Sequence, residues 1–276
     1  MSEQTITSRD NALVKRARAV RDGRASELIF VEGLRLCEEA LTASLAIQDV
    51  ICTERIASDE RGARLLRALQ SAGKPITIVS DFVFASISDT KTPQGIVLLA
   101  RRPASDKESL LKNTVEAPLF VILHRINNPA NAGAILRTAE AAGARGVILT
   151  EGTTDIFSPK ALRGAMGSSF RLPLWADASF HEALAWCKEQ GIKTICADSR
   201  AGRTHTEIDW TQGSALIVGA ESTGLTTEEM ALADEALRIP MRSPVESLNV
   251  AVAAAIVLYE AARQRKVGSG QWAVGS

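Results

Sequence analysis

The chain has 276 residues, of which 46% are hydrophobic and 23% charged, and its 32 basic and 32 acidic side chains leave zero formal net charge. That length suits two domains of ordinary size, each able to bury a core. The charge balance excludes a protein that coats nucleic acid through bulk basicity, but not one with a local basic patch. The apolar runs fall short of the ~20 residues a membrane-crossing helix needs, so no membrane partner is expected. Met1-Ser2-Glu3-Gln4-Thr5 lacks the apolar core of a secretory leader. Cys37, Cys52, Cys187 and Cys196 show no metal-ligand spacing and read as reduced thiols of a cytoplasmic protein. His124, His181 and His205 are scattered, and no metal is expected.

In chain order, residues 11–24 carry Leu13, Ala17 and Val20 among basic residues, predicting a short helix with one apolar side. Lys15, Arg16, Arg18, Arg21 and Arg24 form a basic cluster opposed in sequence only by Asp22. Lys91, Arg101 and Arg102 form a looser one. By itself each cluster reads as a solvated face. Strands are predicted at 28–31, 47–52, 76–79 and 96–99, and helices at 34–43, 60–72 and 81–87, the last with an acidic cap at Asp81. Residues 101–117 are polar with Pro103 and Pro118 at the margins, a linker or a short helix within one.

A second alternating series follows. Strands are predicted at 119–123, 146–149, 194–197, 215–218 and 237–239, with 170–175 extended. Helices are predicted at 132–142, 160–166, 180–189 and 226–233. Alternation of this kind implies an α/β fold with a largely parallel sheet covered by helices. The chain closes with Val250 to Tyr259, ten residues without a polar side chain, entered through Arg242-Ser243-Pro244 and Glu246-Ser247-Leu248-Asn249. A helix apolar all round must be covered all round, on one side by its own domain and on the other by a second subunit. Ser243 or Ser247 is expected to cap it, and Arg263, Arg265 and Lys266 suit its negative end.

Ligands bind at the loops that follow the strands of such a sheet, and three of these loops are unusual. The first runs from Asn127 to Arg137, where small residues precede a helix. Ile135, Leu136 and Ala139 around Arg137 suggest that it is partly buried. The second is Val218 to Thr226. Gly219 and Gly224 are spaced as in a phosphate-binding loop, but Leu225 stands where the lysine would be, so nucleotide hydrolysis is excluded. What remains is a glycine-rich loop with one acid, Glu221, suited to a small polar cofactor. The third is Met241 to Asn249.

Three motifs in this order resemble those of the SpoU (TrmH-like) 2′-O-ribose methyltransferases of the SPOUT superfamily. The first is Asn128-Pro129-x-Asn131-x-Gly133-x-Ile135-Leu136-Arg137-Thr138. The second is Gly219-x-Glu221-x-x-Gly224-Leu225, followed by Arg238-Ile239-Pro240-Met241. The third is Glu246-Ser247-Leu248-Asn249-Val250-x-Val252-Ala253. The N-terminal part, through Ile6, Ser8, Asn11, Val14 and Lys15 and through Phe30-Val31-Glu32-Gly33, resembles the family's L30e-like RNA substrate-binding domain.

The resemblance implies an L30e-like domain over 1–101, a linker over 102–117, and a trefoil-knot α/β methyltransferase domain over 118–276. It implies methyl transfer from S-adenosylmethionine, with S-adenosylhomocysteine as product and no metal, to a ribose 2′-hydroxyl of structured RNA. The extra domain favours 23S ribosomal RNA as substrate. Transfer RNA, or RNA binding without catalysis, are the alternatives. By the family pattern the catalytic residues are Asn131, Arg137, Glu221, Ser247 and Asn249. Arg137, a permanent cation and a poor proton acceptor, is read as stabilising charge on the ribose oxygen rather than as a base, with Asn131, Ser247 and Asn249 orienting it and the ribose. The cofactor is expected on Leu216, Val218, Gly219, Ala220, Glu221, Gly224, Ile239, Met241, Ser247 and Leu248. Lys15, Arg16, Arg18, Lys160 and Arg163 are expected to meet RNA, with Arg171 a further candidate. Ser168-Ser169 departs from the Gly-Ala expected there. A homodimer formed through the methyltransferase domain is also implied.

Overall fold

A computed structural model describes residues 5–111, 117–221 and 223–267. The middle of the expected linker, Ser222 of the second motif, the side chain of Lys266 and the ends of the chain lie outside the described residues. Two compact units emerge. One runs to Pro103 and takes in Asp155–Arg171; the other comprises Ala104–Thr154 and the chain from Leu172 onward.

The first unit contains α1 (Ala12–Arg21), β1 (Leu28–Glu32), α2 (Leu34–Thr42), β2 (Ile47–Cys52), α3 (Glu60–Ser71), β3 (Ile76–Ile78), α4 (Asp81–Ile87) and β4 (Ile96–Arg101). Its sheet has the order β1-β4-β2-β3. β2 and β3 are parallel, but β4 runs antiparallel to both β1 and β2, so strand–helix alternation did not guarantee a parallel sheet here. Val14, Ala17 and Val20 of α1 pack with Phe30, Ile51, Phe84 and Leu99 in one buried cluster. Ser80, not Asp81, caps α4, its hydroxyl accepting from the Val83 amide. Cys37 and Cys52 are buried thiols.

Residues 155–171 contribute α6 (Pro159–Ala165) and α7 (Ser168–Arg171) to this unit, after α5 (Pro129–Ala141) of the other. The expected extended stretch 170–175 therefore begins as helix. Met166 (φ +48°) and Gly167 (φ +93°) end α6, one further turn forms, and Pro173 then lets the chain extend. Ser168 and Ser169 are buried in that turn.

The second unit adds β5 (Leu119–Leu123), β6 (Gly146–Thr150), β7 (Leu174–Ala178), α8 (Phe180–Glu189), β8 (Lys193–Ala197), β9 (Arg203–Thr204), β10 (Ser214–Val218), α9 (Thr227–Ala231), β11 (Glu235–Arg238) and α10 (Val250–Val267). The expected linker holds a 3-10 turn at Lys107–Leu111. The sheet order is β7-β6-β5-β10-β8-β11-β9, and every described pairing is parallel. β9, only two residues long, carries no pattern that a sequence reading would detect. Parallel strands covered on both faces read as continuous apolar runs, as Leu119–Leu123 does with all five residues buried.

Phe120, Ile122, Ile148, Ala215 and Ile217 face α8, where Phe180, Ala183, Trp186 and Cys187 complete a core cluster. Leu216 and Val218, of opposite parity, share a cavity wall with Ala253, Ala254 and Val257 of α10, which also packs on α5. Burial pushes the Cys187 thiol up to about 12, leaving it an inert core side chain.

The closing helix is half covered. Ala254, Val257, Leu258, Ala261 and Ala262 are buried, whereas Val252 and Tyr259 are 50% and 47% exposed. Its cap is Asn249 rather than Ser243 or Ser247: the Asn249 Oδ1 accepts from the Ala251 and Val252 amides at 2.9 and 3.3 Å. Arg263 pairs with Glu260 one turn back on the same helix, and Arg265 reaches the Ala117 and Gln212 carbonyls.

Candidate active site

Three loops of the second unit meet at the C-terminal ends of β5, β10 and β11. The first leaves β5 and enters α5 one turn earlier than the apolar pattern suggests. Asn128 caps this helix by accepting from the Ala130 amide at 2.9 Å, and Pro129 takes the first helical position, where its missing N–H costs nothing. Asn131 therefore sits in the first turn of α5. Farther along the helix Arg137 is exposed, although its neighbours Ile135, Leu136 and Ala139 are fully buried. Among the described residues it has no hydrogen bond or ion pair. The partly buried position expected for it is not what the structure has: the apolar neighbours turn to the core, and helical geometry turns Arg137 away.

The second loop leaves β10 and folds back on itself, with the Gly224 amide donating to the Ala220 carbonyl at 2.8 Å. Gly224 takes a left-handed φ of +62°. At Gly219 the backbones come so close that an added Cβ would lie 2.8 Å from the Gly224 carbonyl carbon and 3.0 Å from the Leu225 nitrogen. No other residue type fits there without moving the loop.

Glu221 joins the two loops. Its carboxylate accepts from the Asn127 and Asn128 amides, each at 3.0 Å, and from Asn131 Nδ2 at 3.2 Å. Partial burial alone would raise its pKa, but the backbone donors of Asn127 and Asn128, aided by Asn131, outweigh this and hold it below the ordinary carboxylate value. Asn131 Oδ1 in turn accepts from Asn249 Nδ2 at 3.2 Å, and Asn249 Oδ1 caps α10. One chain of polar contacts thus runs from the second loop through the first to the start of the closing helix. Because a carboxylate only accepts, Asn131 must point its NH2 group at Glu221, which fixes the orientation of both amides.

Beside this network lies a cavity of about 540 Å³. Leu216, Val218, Gly219, Ala220, Glu221, Gly224, Ile239, Met241, Ser247 and Leu248 all line it, as the sequence reading expected of a cofactor site. Ala197 to Arg200 line it as well and were missed. Their place after a parallel strand, β8, was the available signal. Asp198 accepts from the Arg200 backbone and guanidinium, and these bonds lower its pKa despite the opposing effect of burial. Asn131, Asn249 and Arg137 do not line the cavity. Among the described residues the structure shows no contact by which Asn131, Ser247 and Asn249 orient Arg137: the two asparagines engage Glu221 and each other.

Several basic residues of the first unit are engaged by other groups of that unit. Lys15 pairs with Asp10, and Arg16 with Asp49 and Gln48. Arg18 is half-buried against the Arg9 carbonyl and Ser86. Arg163 pairs with Asp89, and Arg171 with Glu39. Lys160 is exposed. Among the described residues no cluster of acidic, histidine and cysteine side chains could hold a metal.

A parallel sheet whose strand-end loops wall a mixed apolar and polar cavity offers a place for a small-molecule ligand. Comparison with known proteins supplies the family. Residues 118–259 match the SpoU rRNA Methylase family and residues 11–98 the MRM3-like substrate binding domain; the chain belongs to the SpoU methylase family. It is 33% identical over 275 residues, 99% of this chain and 96% of the relative, to an uncharacterized tRNA/rRNA methyltransferase of Synechocystis. It is 30% identical to the 23S rRNA (guanosine(2553)-2′-O)-methyltransferase RlmP of Bacillus subtilis, covering 89% of this chain and 92% of that protein. The crystal structure of an AdoMet-bound rRNA methyltransferase from Sinorhizobium meliloti superposes with a TM-score of 0.82 at 29% identity, covering 94% of this chain and 97% of that one. The fold is that of the SPOUT methyltransferases, with a substrate-binding domain at the N-terminal side.

Proposed function

We propose that this protein transfers the methyl group of S-adenosylmethionine to a ribose 2′-hydroxyl of 23S ribosomal RNA. The observation that carries the reading is the convergence of all the expected cofactor residues on one cavity. Its volume falls within the range of small-molecule sites. Leu216, Val218, Leu237, Ile239 and Val257 offer apolar walls, while the loop around Gly219 and Gly224 brings backbone amides and carbonyls close. That combination suits a purine nucleoside with a short charged tail. The names of the relatives support the ribosomal substrate, and residues 1–101 are read as the RNA-binding domain, with 118–276 as the methyltransferase.

When bound, the cofactor supplies an electrophilic methyl carbon. The chain's own part is to orient the ribose and stabilise charge on its oxygen. Asn131 and Asn249 each keep one amide hydrogen free once the Glu221 network is formed, enough to hold a ribose or phosphate oxygen. Arg137, a permanent cation with no hydrogen bond or ion pair among the described residues, is suited to stabilise the developing oxyanion. The exposed Val252 and Tyr259, seven residues apart on α10, support a homodimer formed through this domain, which would also bring partners to Arg137. No helix among the described residues is long and apolar enough to cross a membrane; a ribosomal RNA substrate places the reaction in the cytoplasm.

Radiolabelled methyl transfer to purified ribosomal RNA, with transfer RNA as comparison, tests the reading. Arg137→Ala should lose transfer by at least about a hundredfold while binding S-adenosylhomocysteine as tightly as the parent. Undiminished transfer by the variant would remove Arg137 from its role, and transfer to transfer RNA alone would change the substrate.

A further inference from the structure

The Glu221 network grips one end of the segment between β10 and α9. A separate set of contacts grips the other. His124, the residue after β5, is buried with its ring 4.3 Å from that of Phe180. Its Nε2 lies 3.1 Å from Glu229 Oε1, and its Nδ1 lies 2.9 Å from Thr150 Oγ1. Since the Glu229 carboxylate only accepts, Nε2 carries the hydrogen and donates to it, while Nδ1 meets the Thr150 hydroxyl, which also reaches the Glu151 carbonyl at 3.5 Å. Burial lowers the His124 pKa against the opposing pull of Glu229, which favours the neutral ring.

Next to it, Arg125 takes a left-handed φ of +54° and donates to the same Glu229 oxygen. A bulky non-glycine residue holds that conformation only where its surroundings impose it. Glu229 already serves its own helix, its Oε2 accepting from the Thr226 amide at 2.9 Å in a capping box. That local duty occupies one oxygen. The other is turned across to the β5 loop, an arrangement that helix capping does not require.

We propose that His124, Arg125 and Glu229 form a second clamp that holds the cofactor-side loop in its binding shape, making His124 and Glu229 positioning residues for the cofactor. Glu221 and Glu229 both belong to the second loop and its helix, and both grip the first loop, at Asn127, Asn128 and Asn131 on one side and at His124 and Arg125 on the other. Gly219, Ala220, Thr223 and Gly224, which line the cavity, lie on the segment these two carboxylates anchor. Loosening the Glu229 end lets that segment sample shapes that do not fit the ligand, which weakens binding and leaves the bound geometry as it was. The inference rests on the cavity being the S-adenosylmethionine site.

The test is calorimetric titration of S-adenosylhomocysteine into the full chain and its variants, with steady-state methyl transfer and thermal unfolding alongside. His124→Phe keeps a ring against Phe180 and removes both nitrogens. It should weaken binding about tenfold, raising the cofactor KM in step while kcat at saturating cofactor stays within about twofold. His124→Gln restores an N–H near the Nε2 position and should recover most of the loss. Parental affinity in His124→Phe, or equal impairment in His124→Gln, overturns the clamp. Should His124→Phe not fold, Glu229→Gln decides: it keeps the shape and gives up the charge, and its binding should weaken in the same direction. Parental affinity there, or failure of both variants to fold, also overturns the proposal. A parent chain that binds no S-adenosylhomocysteine would instead remove the cofactor reading itself.

Discussion

Replacing Glu221 by Gln tests whether the carboxylate that joins the first two loops is held as a charge. The carboxylate accepts two backbone amides at 3.0 Å and one side-chain amide at 3.2 Å. Glutamine offers one oxygen and one NH2 group, so at least one of these donors must face another donor. Hydrogen bonds to a charged acceptor contribute about 1.5–3 kcal/mol when buried, and partial exposure reduces this, so a loss of about 1–2 kcal/mol is expected. Trp175, Trp186 and Trp210 lie in the second unit, and no tryptophan precedes Leu172 in the chain. Urea unfolding followed by tryptophan fluorescence therefore reports on the unit that contains the site.

The effect carries a sign with pH. Because the folded-state pKa of Glu221 is lowered from the ordinary 4.5, its contribution is fully present above that value and is lost as pH falls through the folded-state pKa. The parent–variant difference should be largest near neutrality and shrink in acid. An equal difference at both ends, or none at neutral pH, would refute the charge-assisted network.

Two further outcomes follow from the geometry. Gly219→Ala places a methyl group 2.8 Å from the Gly224 carbonyl carbon, so the loop must open, and calorimetry should show cofactor affinity falling about tenfold or more. Val252→Asp puts a charge on the exposed face of α10. Sedimentation should then show a dimer dissociating to monomers without loss of secondary structure, and an unchanged sedimentation coefficient would exclude that face as the interface.

The elements with strong period were legible from the chain alone. The buried strands Leu119–Leu123 and Ser214–Val218 appear as apolar runs because both of their faces are covered, and α8 was expected at the residues where it forms. Local chemistry was less decisive at element ends. Asn128 and Asn249 cap helices that the apolar pattern starts later or caps elsewhere, because a cap is chosen by the direction of one side chain and several polar residues compete for it. The direction of β4 was not legible either, since an apolar strand reads the same whichever way its neighbours run.

At the site, residue types and spacing alone marked the loop around Gly219, Glu221 and Gly224 as a candidate ligand loop, because a close backbone approach demands glycine and a loop acid stands out among apolar strands. The motif order then gave the family. What only the tertiary structure decided is which side chains meet across long sequence separations: Glu221 with Asn127 and Asn128, Asn249 with Asn131, and His124 with Glu229. Such pairings join strand-end loops that the sheet order brings together, with β10 inserted between the earlier strands β5 and β8. Linear spacing carries no record of that insertion, so the sequence determined which groups are available for chemistry, and the packing of the sheet determined which of them act together.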